Sequence, residues 1–149
     1  MNFLKKFMEG KKYGFYVTLA LMLLALITGI IWVSTYGGTD EFSAWGFAFL
    51  IVGVVLSLVL AILKRERLAA DVLGFCVLMG LLFYISAIYM YVSVVLVGID
   101  ADTFSSDFIL NTTFFAITSV VALVNMFLPQ ASKKVEAVET KEEKVEEAK

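Results

Sequence analysis

Hydrophobic positions in this chain gather into four long runs, and charges are confined to the segments between them. No Asp, Glu, Lys or Arg occurs in 13–39, 42–63, 72–99 or 108–132. A helix at the surface of a soluble protein needs a polar face along its length. Runs of this length without one have lipid as their natural solvent. The runs predict helices over 13–36, 42–63, 72–97 and 108–128. At 1.5 Å per residue the first reaches about 36 Å and the third about 39 Å, enough to cross a bilayer with some tilt or projection. The first is also too long for a signal-peptide core, which predicts a retained helix.

The interruptions carry their own signals. Gly37-Gly38-Thr39-Asp40-Glu41 is turn chemistry, two glycines followed by two acids. Ser43 is placed to cap the second helix, and Asp71 suits the start of the third. Lys64-Arg65-Glu66-Arg67 separates those two helices, the polar loop 98–107 separates the third from the fourth, and Pro129, the single proline, marks the end of the fourth. Residues 1–12 form a basic lead. Residues 130–149 form a charged tail with no apolar face wide enough to pack. The expected architecture is an all-α polytopic membrane protein: a four-helix transmembrane bundle over 13–129, up-down-up-down.

Loop charge sets the expected orientation. Lys5, Lys6, Lys11, Lys12, Lys64, Arg65, Arg67, Lys133 and Lys134 all fall on one predicted side, nine basic residues against none on the other. The other side carries Asp40, Glu41, Asp100, Asp102 and Asp107. The positive-inside rule then gives an N-in, C-in chain with both termini cytoplasmic. Trp32, Tyr36, Phe42 and Trp45 are expected at the outer interface, and Tyr13 and Tyr16 at the inner one. Compact size and short loops point to a bacterial plasma membrane.

Composition narrows the chemistry. Of 149 residues, 60% are apolar and 17% charged, with a net charge of −2. No basic surface for nucleic acid is present. The chain has one cysteine, Cys76, and no histidine. A lone cysteine without histidine cannot build a zinc or iron–sulfur site and reads as a small packing residue. Proton-coupled transport ordinarily uses a titratable group at membrane depth, and nucleophilic catalysis needs a nucleophile beside a base. The predicted spans carry neither, so no enzyme activity, metal or cofactor is expected. The acidic loops are read as solvated topology determinants in preference to a weak divalent-cation site.

Two sets of residues stand out. Asn111, Thr118 and Asn125 recur every seven positions in the fourth helix, and Ser86 and Ser93 share that spacing in the third. Seven residues is two turns less about 20°, so each set shares a face. Such a polar seam is either a path for a small solute or ion, or glue between helices at roughly 0.6 kcal/mol per bond. Glue is the expectation. In the second helix Gly46, Gly53, Ser57 and Ala61 form a small-residue ridge that lets another helix approach closely, by internal packing in preference to dimerisation. Tyr84, Tyr89 and Tyr91 lie deep enough that their hydroxyls need partners, for which the polar face of the fourth helix is the candidate. Asn111-Thr112-Thr113 fits the glycosylation pattern but lies too close to the membrane to be a good acceptor. A sixty-residue offset pairs Gly14-Phe15 with Gly74-Phe75 and Gly38 with Gly98, a weak hint of duplication.

The functional expectation is a non-enzymatic accessory or scaffold subunit. Its partners are the lipid bilayer and other membrane-protein subunits or a second copy of the chain. The alternative is a small oligomeric transporter or channel using the polar face of the fourth helix.

Overall fold

The structure, a computed structural model, describes residues 13–98 and 104–129. The basic lead 1–12, the tail 130–149, and Asp100 and Asp102 lie outside the described residues. The described residues form four helices: α1 (Tyr13–Tyr36), α2 (Ala44–Ile62), α3 (Glu66–Val97) and α4 (Ser106–Phe127). Each is long and apolar enough to cross a membrane.

Local chemistry explains most of the boundaries. The Ser43 hydroxyl accepts the Gly46 N–H at 3.4 Å and caps α2. The Ser105 hydroxyl does the same for α4 through the Phe108 N–H at 3.2 Å. Gly98 closes α3 at φ 71°, a left-handed conformation that glycine adopts without a Cβ penalty. Leu128 is extended, as the residue before Pro129 must be, and α4 stops there.

The α2–α3 turn is a Schellman motif. The Arg65 N–H donates to the Leu60 carbonyl at 2.9 Å, and the Lys64 N–H donates to the Ala61 carbonyl at 3.2 Å. Its left-handed position, at φ 61°, is occupied by Lys64, where glycine is usual. A Cβ there costs about 1 kcal/mol. Lys64→Gly should therefore raise the unfolding free energy by about 1 kcal/mol in a reversible SDS titration. An unchanged or lowered value would mean that the lysine side chain compensates.

One boundary differs from the sequence expectation. α3 begins at Glu66, six residues before the predicted start at 72, and runs for 32 residues. Its length of about 48 Å exceeds the hydrocarbon core of roughly 30 Å. Glu66, Arg67 and Asp71 lie within the helix, because a charged side chain does not end one. Glu66 sits in the first turn, where the helix dipole favours an acid, and is buried. Asp71 lies within α3 and not at its start.

α1 and α3 each touch the other three helices, whereas α2 and α4 do not touch one another. Inward residues follow a four–three spacing. In α1 these are Gly14, Thr18, Leu21, Ala25, Thr28 and Trp32; in α4 they are Asn111, Phe115, Thr118, Ala122 and Asn125. Alternating steps of four and three are the pattern of knobs-into-holes packing. One core runs from Leu21, Leu73 and Val77 to an aromatic cluster in which Trp32 meets Phe42, Tyr84 and Phe115 edge-on. A smaller one joins Phe15, Ala61 and Ala69.

Trp32, expected at the outer interface, turns its side chain into the bundle. It is fully buried, and its indole N–H donates to the Glu41 carbonyl at 3.3 Å, so it needs no headgroup. Trp45, Tyr13 and Tyr16 are exposed. The duplicated-pair hint also meets a mixed outcome. Gly38 and Gly98 both have positive φ after a helix. Phe15, however, is buried while Phe75 is exposed.

Candidate functional site

α4 presents its seven-residue repeat to the interior. Asn111, Thr118 and Asn125 are all fully buried. Two of them meet threonines on α1. The Asn125 amide nitrogen donates to the Thr18 hydroxyl at 2.9 Å, and Thr18 Oγ1 lies 3.1 Å from Asn125 Oδ1. Thr118 and Thr28 bring their hydroxyl oxygens within 2.8 Å. Both threonines of α1 also donate to their own helix, Thr18 to the Gly14 carbonyl and Thr28 to the Leu24 carbonyl. Thr118 likewise reaches the Phe114 carbonyl at 2.7 Å.

Polar side chains in lipid must find partners because no water competes for them. A seam closed by direct contacts at these distances leaves no room for solute between the paired groups. The pair Thr28 and Thr118 should couple weakly. In a double-mutant cycle of Thr28→Val and Thr118→Val, the coupling energy should be about 0.6 kcal/mol, because each hydroxyl can fall back on its own helix. A coupling near zero would show that the contact contributes nothing beyond packing.

Ser86 and Ser93 are placed differently. Ser86 is exposed, and Ser93 is half-buried with its hydroxyl donating to the Tyr89 carbonyl of its own helix. Neither is brought to the α4 polar face. The three tyrosines also separate. Tyr84 is buried, stacks on Phe115 and shares a 2.8 Å hydrogen bond with Thr112, next to the repeat and not on it. Tyr91 accepts the Ser105 N–H at 2.9 Å, and Tyr89 is exposed.

The small-residue ridge of α2 is turned onto α3 and α1. A Cβ on Gly53 would collide with the Cys76 Cβ, and one on Gly46 would meet the Phe83 Cβ at 2.7 Å and the Trp32 ring at 2.8 Å. The Ser57 hydroxyl donates to the Ala69 carbonyl at 2.8 Å, and Ala61 is buried beside Ala69. All four ridge residues are therefore buried within the chain.

Thr18 and Thr28 do not stand out in the sequence, because isolated threonines ten residues apart suggest no repeat. Their signal is the four–three pattern they complete with Leu21, Ala25 and Trp32. Among the described residues, two buried side-chain atoms lack hydrogen-bond partners: Asn111 Oδ1 and Ser119 Oγ. The same residues contain no cluster of three or more His, Cys, Asp or Glu able to hold a metal. Burial of Asn111 also makes it unsuited to glycosylation in the folded chain. No protein-family model, no curated protein and no solved structure matches the chain.

Proposed function

We propose that this protein is a small, non-enzymatic accessory or scaffold subunit that associates with a larger membrane complex or with itself. The observation that carries the reading is the closed seam: Thr18–Asn125 and Thr28–Thr118 are paired within the chain, all four buried. A seam of this kind holds helices together. Function then falls to the lipid-facing surfaces and the charged tail, which are the surfaces left for contacts. The test is purification of the full chain at native expression in a mild detergent, with identification of co-purifying chains. Stoichiometric partners or a stable homo-oligomer support the proposal, and a clean monomer overturns it.

The topology that goes with this reading is up-down-up-down, with both termini cytoplasmic in a bacterial plasma membrane. The contacts Thr18–Asn125, Thr28–Thr118 and Trp32–Phe115 descend α4 as they climb α1, in keeping with antiparallel neighbours. Single cysteines at Asp40 and at Arg65 give the experimental check. A membrane-impermeant maleimide applied to intact cells should label the first and spare the second. Cys76 is buried and supplies little background.

A second reading, a small oligomeric transporter or channel along α4, draws support from the two partnerless atoms Asn111 Oδ1 and Ser119 Oγ, which a hydrated path would satisfy. It requires solute flux in proteoliposomes that Asn125→Leu abolishes while the fold persists. The scaffold reading expects no flux from either protein, and a stability loss of about 1 kcal/mol from Asn125→Leu.

A further inference from the structure

The helices do not end together. At the basic end, which holds Lys64, Arg65 and Arg67, the α2–α3 turn brings its two helices to one level. From there the register of α2 on α3 can be followed: Ser57 lies on Ala69, Gly53 on Cys76, Leu50 on Gly80 and Gly46 on Phe83. α2 begins at Ala44, which this register puts level with Ile85. Residues 86–97 of α3 therefore run on for about 18 Å beyond the start of α2. α1 also stops short. Its Trp32 ring meets Tyr84 and it ends one turn later at Tyr36, which leaves residues 89–97 of α3, about 13 Å, beyond it. α4 joins where the Tyr91 hydroxyl accepts the Ser105 N–H, so residues 92–97 stand about 9 Å past it.

Charge is displaced along α3 in the same direction at both ends. The extension 86–97 carries none, and the next charge is Asp100. Tyr89, Met90, Leu96 and Val97 on it are all exposed. Yet the acids of the α1–α2 turn stand well below its tip, because the Glu41 carbonyl takes the Trp32 indole N–H at the level of Tyr84. At the basic end Asp71 lies between the Ala69 and Cys76 contacts, opposite the uncharged run 42–63 of α2. The apolar belt around the bundle is therefore oblique, shifted by about 10 Å on α3 relative to α1 and α2. Across a bundle two helices wide, about 20 Å, that slope is about 25°, within the range of transmembrane tilts.

We propose that the bundle stands tilted by about 25° in its bilayer, sinking the end of α3 among acyl chains, so that Tyr89, Met90, Leu96 and Val97 form a lipid-contact surface. The occupant of that surface is hydrocarbon. An upright bundle would lift Leu96 and Val97 into the headgroups or water while the acidic turn lay lower. A docked protein chain would cover the extension but leave the displaced charge at Asp71 unexplained. One rotation accounts for both ends: it lowers the tip of α3 into lipid and brings Asp71 out of it. The proposal goes beyond the scaffold reading and does not depend on it, since depth is read without any partner protein.

The test measures depth with a nitroxide on single cysteines in the full chain, held in nanodiscs of dioleoylphosphatidylcholine. Oxygen reaches the label through lipid, and a water-soluble nickel chelate reaches it through water. Cys76 is buried and can stay in place. Trp45→Cys and Ile85→Cys are level with each other at the acidic end, and Val59→Cys and Leu68→Cys at the basic end. All four positions are exposed, so the labels leave the core intact. Ile85 should lie deeper than Trp45, and Val59 deeper than Leu68, by about 5 Å or more in each pair. A label at Leu96 should be open to oxygen and shielded from nickel, whereas one at Asp40 should be open to nickel. Equal depths within the pairs would mean an upright bundle and overturn the proposal. A Leu96 label as open to nickel as that at Asp40 would place the extension in water, and one shielded from both reagents would place it against protein. Either result would also overturn the proposal.

Discussion

Replacement of Trp32 by alanine should lower the unfolding free energy by about 3 kcal/mol in reversible SDS titration or steric trapping, the largest loss expected from any single truncation in this chain. Trp32 is fully buried and lies at the centre of the aromatic cluster, with ring centroids 5.2 Å from Phe42, 5.6 Å from Tyr84 and 5.2 Å from Phe115. The loss has an unusual origin. In a soluble core, much of such a penalty is the transfer of apolar surface to water. Here a separated α1 would still bury its indole in lipid, so the transfer part largely cancels. What remains is the cavity, the lost edge-to-face contacts and the lost bond to the Glu41 carbonyl. Trp45 is the internal control, because it is 73% exposed and faces outward. Trp45→Ala should change stability by less than about 0.5 kcal/mol. Equal losses at the two positions would show that the cluster does not pack as described.

Addition of a single methyl group at Gly53 should have the next largest effect. The new Cβ of Gly53→Ala would fall against the Cys76 Cβ, on the stem of the side chain where no rotamer change can relieve it. α2 and α3 must then move apart, and the ridge between them loses contact at Gly46 and Ser57 as well. Overpacking of this kind costs about 1–3 kcal/mol, and the position of the clash argues for the upper part of that range. The compensating change is Cys76→Gly, which removes the obstructing Cβ. Alone it should destabilise α3 by about 1 kcal/mol through helix propensity. Combined with Gly53→Ala it should recover at least about 1 kcal/mol relative to additivity, since the methyl then has space to occupy. Strict additivity would mean that the Gly53 and Cys76 positions do not touch.

These two residues illustrate what the sequence could and could not convey. The number of helices was legible because charges are absent from four long runs, and the Ser43 cap was legible because a hydroxyl stood just before one of them. Which face of each helix turns inward was much harder to read. In a soluble helix the inward face is the apolar one, but here both faces are apolar. The inward side is marked instead by small and polar residues, the groups that allow close approach or need partners. Asn111, Thr118 and Asn125 follow that rule because a carboxamide in lipid has few alternatives. Ser86 and Ser93 escape it, since a serine hydroxyl can bond to its own helix, as Ser93 does to Tyr89. Trp32 misled in the opposite sense. Its indole N–H suggested a headgroup, but a backbone carbonyl in the adjoining turn serves as well. The early start of α3 was hidden by the charges at 64–67, which read as loop although Glu66 and Arg67 are helical.

The threonines of the seam bear on how the chain is made. Thr18, Thr28 and Thr118 each lie within bonding distance of a carbonyl four residues back in their own helix as well as of the partner across the interface, and in the Thr28–Thr118 pair one hydroxyl turns its single proton from its own helix to the other. A helix entering the bilayer alone can therefore keep those hydroxyls satisfied before any neighbour arrives. Insertion and assembly become separable events. Each span can be threaded into the membrane as it leaves the ribosome, and α1 can wait for α4, which is synthesised later, without exposing an unmet donor at those threonines. The cross-helix bonds then act as a late proofreading contact, rewarding the correct pair after both have arrived.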